Sequence, residues 1–438
     1  MNEFEKNLAR RDIINLFKDG VRAADPKLCV SNCLSKLIVD DPSHFHKTMV
    51  IGVGKAACNM MLGALSVLPM NNFINRPLVI TNQENLVDIN GVTTMVAGHP
   101  FPNQESLSAT QKVLKKVTSL AVDDTLLVLV SGGASAMFSQ PAEGISLTDK
   151  INTTQALLAS GIDINQMNVV RKQLSAVKGG KLAELASPAR VIGLILSDVI
   201  GDDLGAIASG PTVHSKECRT DAINILKKAN VWYNLPKSVI QHLEKPVTPV
   251  RSQPNDFFKK DVKNYLIGSN NVSVSAVESA AKKTGLNVKI LKEPICGEAK
   301  VAAESLVIIA GELLGKKSMG TPLLIVAGGE TTVTIKGDGK GGRNQEFALA
   351  FALAADHNNL PPRWLFLSAG TDGRDGPTDA AGGFVDPDSL IRMRENGTNP
   401  IHALNNNDAY HALKSSNDLL ITGGTGTNVA DLQLLLLY

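Results

Sequence analysis

The run Gly52-Val53-Gly54-Lys55-Ala56-Ala57 follows an apolar hexapeptide and opens a stretch rich in Ala, Met and Leu. Backbone N–H groups at such a strand-to-helix turn, with the helix dipole behind them, face an anion. Gly52 and Gly54 permit the tight turn, and Lys55 adds a charge within reach of that anion. The run matches GxGxxA, the dinucleotide fingerprint, but the next strand ends in Thr81-Asn82 without the acidic ribose ligand, and Glu84 comes late. The alternative is a tight turn carrying an exposed lysine.

A second loop, Ser131-Gly132-Gly133-Ala134-Ser135-Ala136, stands directly after TLLVLV. Two glycines and two hydroxyls at a strand's C-terminal end form a donor nest suited to phosphate or carboxylate. Asp198 follows the run VIGLILS, where one carboxylate can hold Mg²⁺ or accept a hydroxyl proton. Asp202 and Asp203 read as caps of the next helix. Arg171, Lys172, Lys178 and Lys181 form a charge run that reads first as a solvated helix face, with a phosphate-contacting loop at Lys178 as the alternative.

Farther along, Gly328-Gly329-Glu330 is followed by Gly337–Gly342, which holds four glycines and delivers Arg343 and Asn344 to a helix start. Arginine there offers a bidentate fork to carboxylate or phosphate. The loop Ser368–Gly383 carries Asp372, Asp375 and Asp379 without EF-hand spacing, which makes it a Mg²⁺ or substrate loop rather than a calcium site, with Asp372 the metal candidate. His99, in Gly98-His99-Pro100, reads as structural.

The elements that position these loops alternate. Thr48–Val53, Pro77–Thr81, Thr93–Ala97, Thr125–Val130 and Val191–Ser197 are short apolar runs without alternation, the mark of strands buried on both faces of a parallel sheet. Helical stretches separate them at Lys55–Leu68, Glu105–Leu120 and Gln173–Ala186, after an amphipathic opening helix over residues 5–22. This is an α/β, doubly wound pattern. Single cores stop growing near about 250–300 residues, so 438 residues predict two domains. The polar, Pro-bearing text from Asp221 to Asp261 places them at 1–245 and 262–438. The second is also α/β, with a mixed sheet. Leu323–Ala327 and Thr331–Ile335, three residues apart, are expected to pair antiparallel.

Composition narrows the function classes. Lys plus Arg number 44 against 42 Asp plus Glu, and aromatics are 4%, which argues against nucleic-acid binding. No run of about 20 apolar residues is present for a membrane span. Five cysteines without metal spacing, and no signal peptide, fit a cytoplasmic protein.

Together the stretches GVGKAA, GHPFPN, LVSGGASA, NVVRKQLSAVKGGKLA, LSDVIGDDLGAIASGPT, GGETTV, GGRNQEFAL, SAGTDGRDGPTDAAGG and TGTNVADL, in this order, resemble the glycerate 2-kinases with a leucine-rich C-terminal domain. The resemblance implies ATP-dependent transfer to the C2 hydroxyl of D-glycerate with Mg²⁺. It further implies a Rossmann-like domain, a smaller α/β domain, and an active site in the interdomain cleft. The family's functional lysine falls on Lys55, its arginine on Arg343 and its candidate acid on Asp198. Nucleotide-binding candidates are Gly52, Gly54, Ser131, Gly132, Gly133, Ser135, Lys178, Glu330 and Asn344; metal candidates are Asp198 and Asp372. ATP and D-glycerate are the expected partners, and a monomer or homodimer fits. Some family members bear the label hydroxypyruvate reductase, which makes NAD(P)H-dependent reduction the alternative.

Overall fold

The computed structural model describes residues 3–246, 254–315 and 322–438. The chain divides into two compact units, one formed by Pro26–Ile267 and the other by Met1–Asp25 with Gly268–Tyr438.

In the first unit, strands β1 (Thr48–Val53), β2 (Leu78–Thr81), β3 (Thr93–Val96), β4 (Thr125–Val130), β5 (Arg190–Leu196) and β6 (Val262–Gly268) lie in the order β3-β2-β1-β4-β5-β6. From β3 to β5, each strand runs parallel to its neighbour. Every residue of β1 and β4 is buried, as their unbroken apolar sequence requires. Val113 and Val117 from helix Gln104–Val117, with Leu182 and Ala183 from helix Lys181–Ala186, pack with Ile51 and Val128 in one core. This is the doubly wound Rossmann order, whose direction reverses between β1 and β4. Ligands of such sheets bind at that reversal, beyond the carboxyl ends of the strands.

The second unit adds β7 (Asn287–Ile290), β8 (Ile295–Glu298), β9 (Leu323–Thr332), β10 (Trp364–Gly370), β11 (Gly382–Val385), β12 (Leu419–Leu420) and β13 (Asp431–Leu437). The order is β12-β11-β10-β13-β9-β7, with β8 also beside β9. Pairs β9–β13, β13–β10, β10–β11 and β11–β12 are antiparallel, whereas β7 and β8 run parallel to β9, so the sheet is mixed. One face is covered by helix Arg343–His357, where Phe351 stacks on Phe366 at 4.4 Å and meets Trp364 edge-on at 5.2 Å.

Several expectations change. The opening helix, Glu3–Ala23, joins the second unit, because Ile13, Leu16 and Phe17 share a core with Val274, Val277, Leu432 and Leu434. Conversely, Val262–Gly268 extends the first sheet: Val191 N–H donates to Asp261 O at 2.8 Å, and Thr212 Oγ1 donates to Asn264 Oδ1 at 2.6 Å. The division expected at 1–245 and 262–438 therefore shifts at both ends. No antiparallel turn separates Leu323–Ala327 from Thr331. Gly328 and Gly329 continue β9, paired with Leu432 and Asp431. Gln173–Ala186 is not one helix but a loop ahead of Lys181–Ala186, where Gly179 and Gly180 take positive φ. The supposed linker is largely helical, at Arg219–Lys228, Lys237–Glu244 and Pro254–Lys260; its positions 247–253 lie outside the described residues. Among the described residues no helix is long and apolar enough to cross a membrane.

Candidate active site

Val53 and Val130, the last residues of β1 and β4, are register partners, so the loops that follow them lie side by side. Lys55 N–H donates to Gly132 O at 2.9 Å, Ala56 N–H to Ser131 Oγ at 3.1 Å, and Ser131 N–H to Val53 O at 3.0 Å. The N–H groups at the GxGxxA turn are thus spent on the neighbouring loop, which corrects the expectation that they face an anion. Gly54 has φ +119°, and a Cβ there would fall 2.4 Å from Ser131 Oγ; the glycine serves this close approach. Gly52 is a buried residue of β1 whose Cβ would meet Ala57 O at 3.2 Å.

Free donors are found instead on the second loop. Among the described residues the N–H groups of Gly132 and Gly133 carry no hydrogen bond. Three ionisable side chains gather around them. A Cβ at Gly132 would fall 2.1 Å from Asp198 Oδ2, and one at Gly133, where φ is +79°, would fall 3.1 Å from His99 Cδ2. Burial raises the Asp198 carboxyl above its ordinary range, with Lys55 acting in the opposite direction. Burial lowers the His99 imidazole, and the charge of Lys55 adds to that effect. His99, read from sequence as structural, therefore stands in the same group as Lys55 and Asp198. Asp203 is exposed and accepts from Gly205 N–H at 2.8 Å, closing its own turn rather than capping the next helix, whose N-cap is Ala206.

The Asp198–Gly132 contact yields a test. An alanine at 132 must displace the carboxylate, and misplacing a reacting group by about 1 Å can cost about 10²-fold. Gly132→Ala is expected to lower turnover on that scale while its melting temperature stays near wild type. Wild-type kcat would show that the position of Asp198 does not matter.

Three residues beyond Gly132, Ser135 is gripped by two cations. Arg171 Nη2 donates to its Oγ at 2.7 Å, and Lys178 Nζ donates to its Oγ and O at 2.9 Å and to Ala208 O at 3.2 Å. The charge run is therefore no solvated face: Lys178 is 1% exposed and Lys172 8%. Lys181 Nζ donates to Lys172 O and Ser175 O at 2.8 and 2.6 Å, fixing the backbone of this segment. Burial drives Lys178 well below its usual value, assisted by Arg171 and Lys150. Lys150, whose Nζ donates to Ser139 Oγ at 2.8 Å, is lowered to about 7, first by burial and then by Arg171 and Lys181.

The sign for Lys150 follows from linkage. Unfolded, its amine keeps a proton up to about 10.4, so between about 7 and that value the unfolded chain binds the extra proton. Stability from this group is then complete at high pH and is lost as pH falls toward 7. Lys150→Met is expected to flatten the rise of melting temperature with pH above neutrality. Equal slopes in variant and wild type would contradict it.

In the second unit Arg343 does not present an open fork. Its Nε and Nη2 donate to Asp431 Oδ2 and Oδ1 at 2.6 and 2.9 Å, and Nη1 donates to Glu330 Oε1 at 2.7 Å. Burial works against its charge, but Asp431 and Glu330 outweigh that and raise its pKa. The helix start that was to hold an anion is filled by Asp375, whose Oδ1 and Oδ2 accept from Asn344 N–H at 3.1 Å and Gln345 N–H at 2.8 Å. Burial raises Asp375 to about 6. Asn344, 1% exposed, accepts from Ser368 Oγ at 2.7 Å, so its side chain is occupied inside the fold. Asp372 accepts from Arg374 N–H at 3.0 Å, and its Oδ1 would lie 3.2 Å from a Cβ at Gly370, with Asp431 Oδ1 at 3.5 Å. Among the described residues no group of three His, Cys, Asp or Glu side chains is set to hold a metal.

Sequence reasoning placed Arg171 on a solvated face and did not single out Lys150 or, in the second unit, Asp431. Asp431 lies 88 residues beyond Arg343 and is brought to it by pairing of β13 with β9, a contact no local signal announces.

These loops lie at the reversal point of a doubly wound sheet in an α/β protein. Residues 12–244 match the family described as a domain of unknown function (DUF4147), and residues 323–431 match the MOFRL family. A D-glycerate 2-kinase of Thermotoga maritima is 38% identical over 435 residues, 98% of each chain. A glycerate 2-kinase of Pyrococcus horikoshii is 38% identical over 428 residues, 95% of this chain and 94% of the relative. The crystal structure of a Thermotoga maritima glycerate kinase superposes with TM-score 0.89 at 37% identity, covering 99% of this chain and 100% of that one. An Agrobacterium vitis protein that carries the provisional name hydroxypyruvate reductase is 36% identical over 98% of this chain and 94% of its own. The chain belongs to the glycerate 2-kinase family that joins a DUF4147 domain to a MOFRL domain.

Proposed function

We propose that the protein transfers the γ-phosphoryl group of ATP to the C2 hydroxyl of D-glycerate, forming 2-phosphoglycerate and ADP. The observation that carries this reading is the pair of unspent N–H groups at Gly132 and Gly133, flanked by Lys55 and Asp198 at the reversal point of the sheet. Phosphoryl transfer requires positioning and charge neutralisation more than a strong nucleophile. The loop from Ser131 to Ser135 cradles phosphate oxygens, with Lys178 fixing its far end. Lys55 neutralises charge that grows on the transferred group. Asp198, raised by burial, accepts the proton of the attacking hydroxyl.

A hard cation fits this place, since Mg²⁺ is usually held by one or two carboxylates, with phosphates and water completing the octahedron. Asp198 is the candidate ligand in the first unit and Asp372 in the second; for Asp198, holding the ion is the alternative to accepting the proton, since a carboxylate bound to Mg²⁺ is not a free base. When bound, Mg²⁺ neutralises phosphate charge. Arg343 contributes through N–H groups not already engaged by Asp431 and Glu330, and Glu330 and Asn344 act by holding that region in shape.

The reductase reading has less support. At the end of β2, Asn82 Nδ2 donates to Glu84 Oε2 at 2.7 Å, so the late acid is tied back to its own turn. An assay decides between them. ADP is expected from D-glycerate, ATP and Mg²⁺, with no NADH or NADPH oxidation by hydroxypyruvate; the opposite pattern would establish the reductase. Within the kinase reading, Lys55→Ala is expected to lower kcat/KM by about 10²–10³. A folded Lys55→Ala protein with unchanged kcat/KM would remove the lysine from the mechanism.

A further inference from the structure

The cluster around Ser135 holds more positive charge than its role as a loop anchor needs. Arg171, Lys178 and Lys150 interact with one another electrostatically, yet among the described residues none of the three forms an ion pair with a carboxylate. Elsewhere in the chain, buried or half-buried arginines are paired: Arg343 with Asp431, Arg392 with Asp386 and Asp418. Leaving a cation desolvated without a counter-charge is costly. Lys178 and Lys150 can relieve that cost by giving up a proton, but a guanidinium stays charged, so Arg171 is the permanent charge here and its open face suits an anion that arrives from outside.

The hydrogen bonds fix the direction of the site. Ser135 Oγ accepts from both Arg171 and Lys178, so its own proton goes to Ser209 Oγ, 3.2 Å away. Ser209 Oγ in turn donates to Asn168 Oδ1 at 3.2 Å. Lys178 spends its three protons on Ser135 Oγ, Ser135 O and Ala208 O. The donors of Lys178 and Ser135 are thus spent within the chain. Arg171 is different: among the described residues its one hydrogen bond spends a single Nη2 proton, so the second Nη2 proton, Nε–H and Nη1 stay open, and that Nη2 proton with one of the other two makes the fork. A planar fork with free donors, backed by a lysine, is the geometry that takes two oxygens of a carboxylate or phosphoryl group. Ala208 and Ser209, at φ +53° and +58°, are non-glycine residues held in the left-handed region beside it. Strain of that kind persists where the surrounding structure over-determines it, often at ligand sites.

We propose that Arg171, supported by Lys178 through Ser135, is an oxyanion subsite that binds either the carboxylate of the hydroxy-acid substrate or a phosphoryl group of the nucleotide. Naming those two ligands rests on the kinase reading; the subsite itself rests on the geometry. It adds Arg171 to a loop whose opposite end carries Gly132 and Gly133.

Direct binding tests it without turnover. Inorganic phosphate, D-glycerate and ADP are each titrated into wild type, Arg171→Met and Arg171→Gln by calorimetry, with melting temperature recorded for all three proteins. Removing an unpaired buried charge is expected to leave the melting temperature equal to or above wild type. The second neutral variant covers the case in which the first does not fold. Arg171→Met is expected to weaken one class of ligand at least tenfold. Loss of D-glycerate binding alone assigns the carboxylate; loss of phosphate and ADP binding assigns a phosphoryl group. Arg171→Lys, which keeps the charge and loses the fork, is expected to recover part of the affinity. Wild-type affinity for all three ligands in the neutral variants, or no binding of any of them to wild type, would overturn the subsite. A wild-type protein that binds phosphate but makes no ADP from glycerate would instead defeat the kinase reading and leave Arg171 to be judged on phosphate alone.

Discussion

Asp198→Asn is expected to lower kcat by about 10³-fold or more, whereas Asp203→Asn stays within a few-fold of wild type; general-base catalysis is worth about 10²–10⁴. The two aspartates differ in environment rather than in type. Asp198 is half-buried against Gly132, with Lys55 near enough to influence its ionisation. Asp203 is exposed and accepts from Gly205 N–H. Asparagine keeps the shape of the side chain and removes the proton acceptor, so the fold is preserved and the melting temperature of both variants stays near wild type. Because burial raises the Asp198 carboxyl, the acid limb of the kcat/KM profile is expected above the ordinary carboxylate range. Full activity in Asp198→Asn, or a severe loss in Asp203→Asn, would show that the base was assigned to the wrong carboxylate.

The largest expected effect on stability belongs to Arg343→Ala. The Asp431 side chain is fully buried and its two oxygens accept Nε and Nη2 of Arg343. Deleting one member of a buried pair strands the other, at a cost of about 3–5 kcal/mol. Glu330, whose side chain is 44% exposed, contributes little of that, since water solvates it once freed. Loss of activity in Arg343→Ala alone therefore does not show contact with substrate. The double variant Arg343→Met/Asp431→Leu removes both charges and is expected to recover most of the lost stability. If Arg343 also acts on substrate charge, the double variant melts near wild type and remains impaired in kcat/KM. A single variant with wild-type melting temperature would contradict the buried-pair account.

Much of the first sheet was legible in the sequence because Thr48–Val53 and Thr125–Val130 are apolar at every position after the opening threonine, as a strand covered on both faces requires. The loops at their ends followed, and with them Lys55, Gly132 and Gly133; Asp198 follows the equally apolar β5. What those loops do to each other was not legible. A glycine fingerprint says that backbone approaches closely, not what approaches it. Here the N–H groups of Lys55 and Ala56 meet Gly132 O and Ser131 Oγ rather than a phosphate. Residues 328–330 looked like a turn because glycines punctuate turns, but β8 and β13 flank them and hold them in β9. The charge run at Arg171–Lys181 was misread for a related reason. Polarity alone argues for solvent, and the cover over Lys178 comes from Ser135 and Ala208, distant in sequence. Arg343 was found by its glycine-rich approach, while its partner Asp431 sits in an apolar C-terminal strand that carries no site signal of its own.

Which hydroxyl receives the phosphoryl group tests the proposed function most directly. Glycerate presents a C2 hydroxyl beside its carboxylate and a C3 hydroxyl one bond farther; positioning sets the regiochemistry, and the expectation of C2 rests on the likeness to the glycerate 2-kinases. Enolase accepts 2-phosphoglycerate and not the 3-isomer. D-Glycerate, ATP, Mg²⁺ and the protein, coupled to enolase free of phosphoglycerate mutase, are expected to give phosphoenolpyruvate without a lag. ADP formation with phosphoenolpyruvate appearing only after mutase is added would mean that C3 is phosphorylated and would contradict the account.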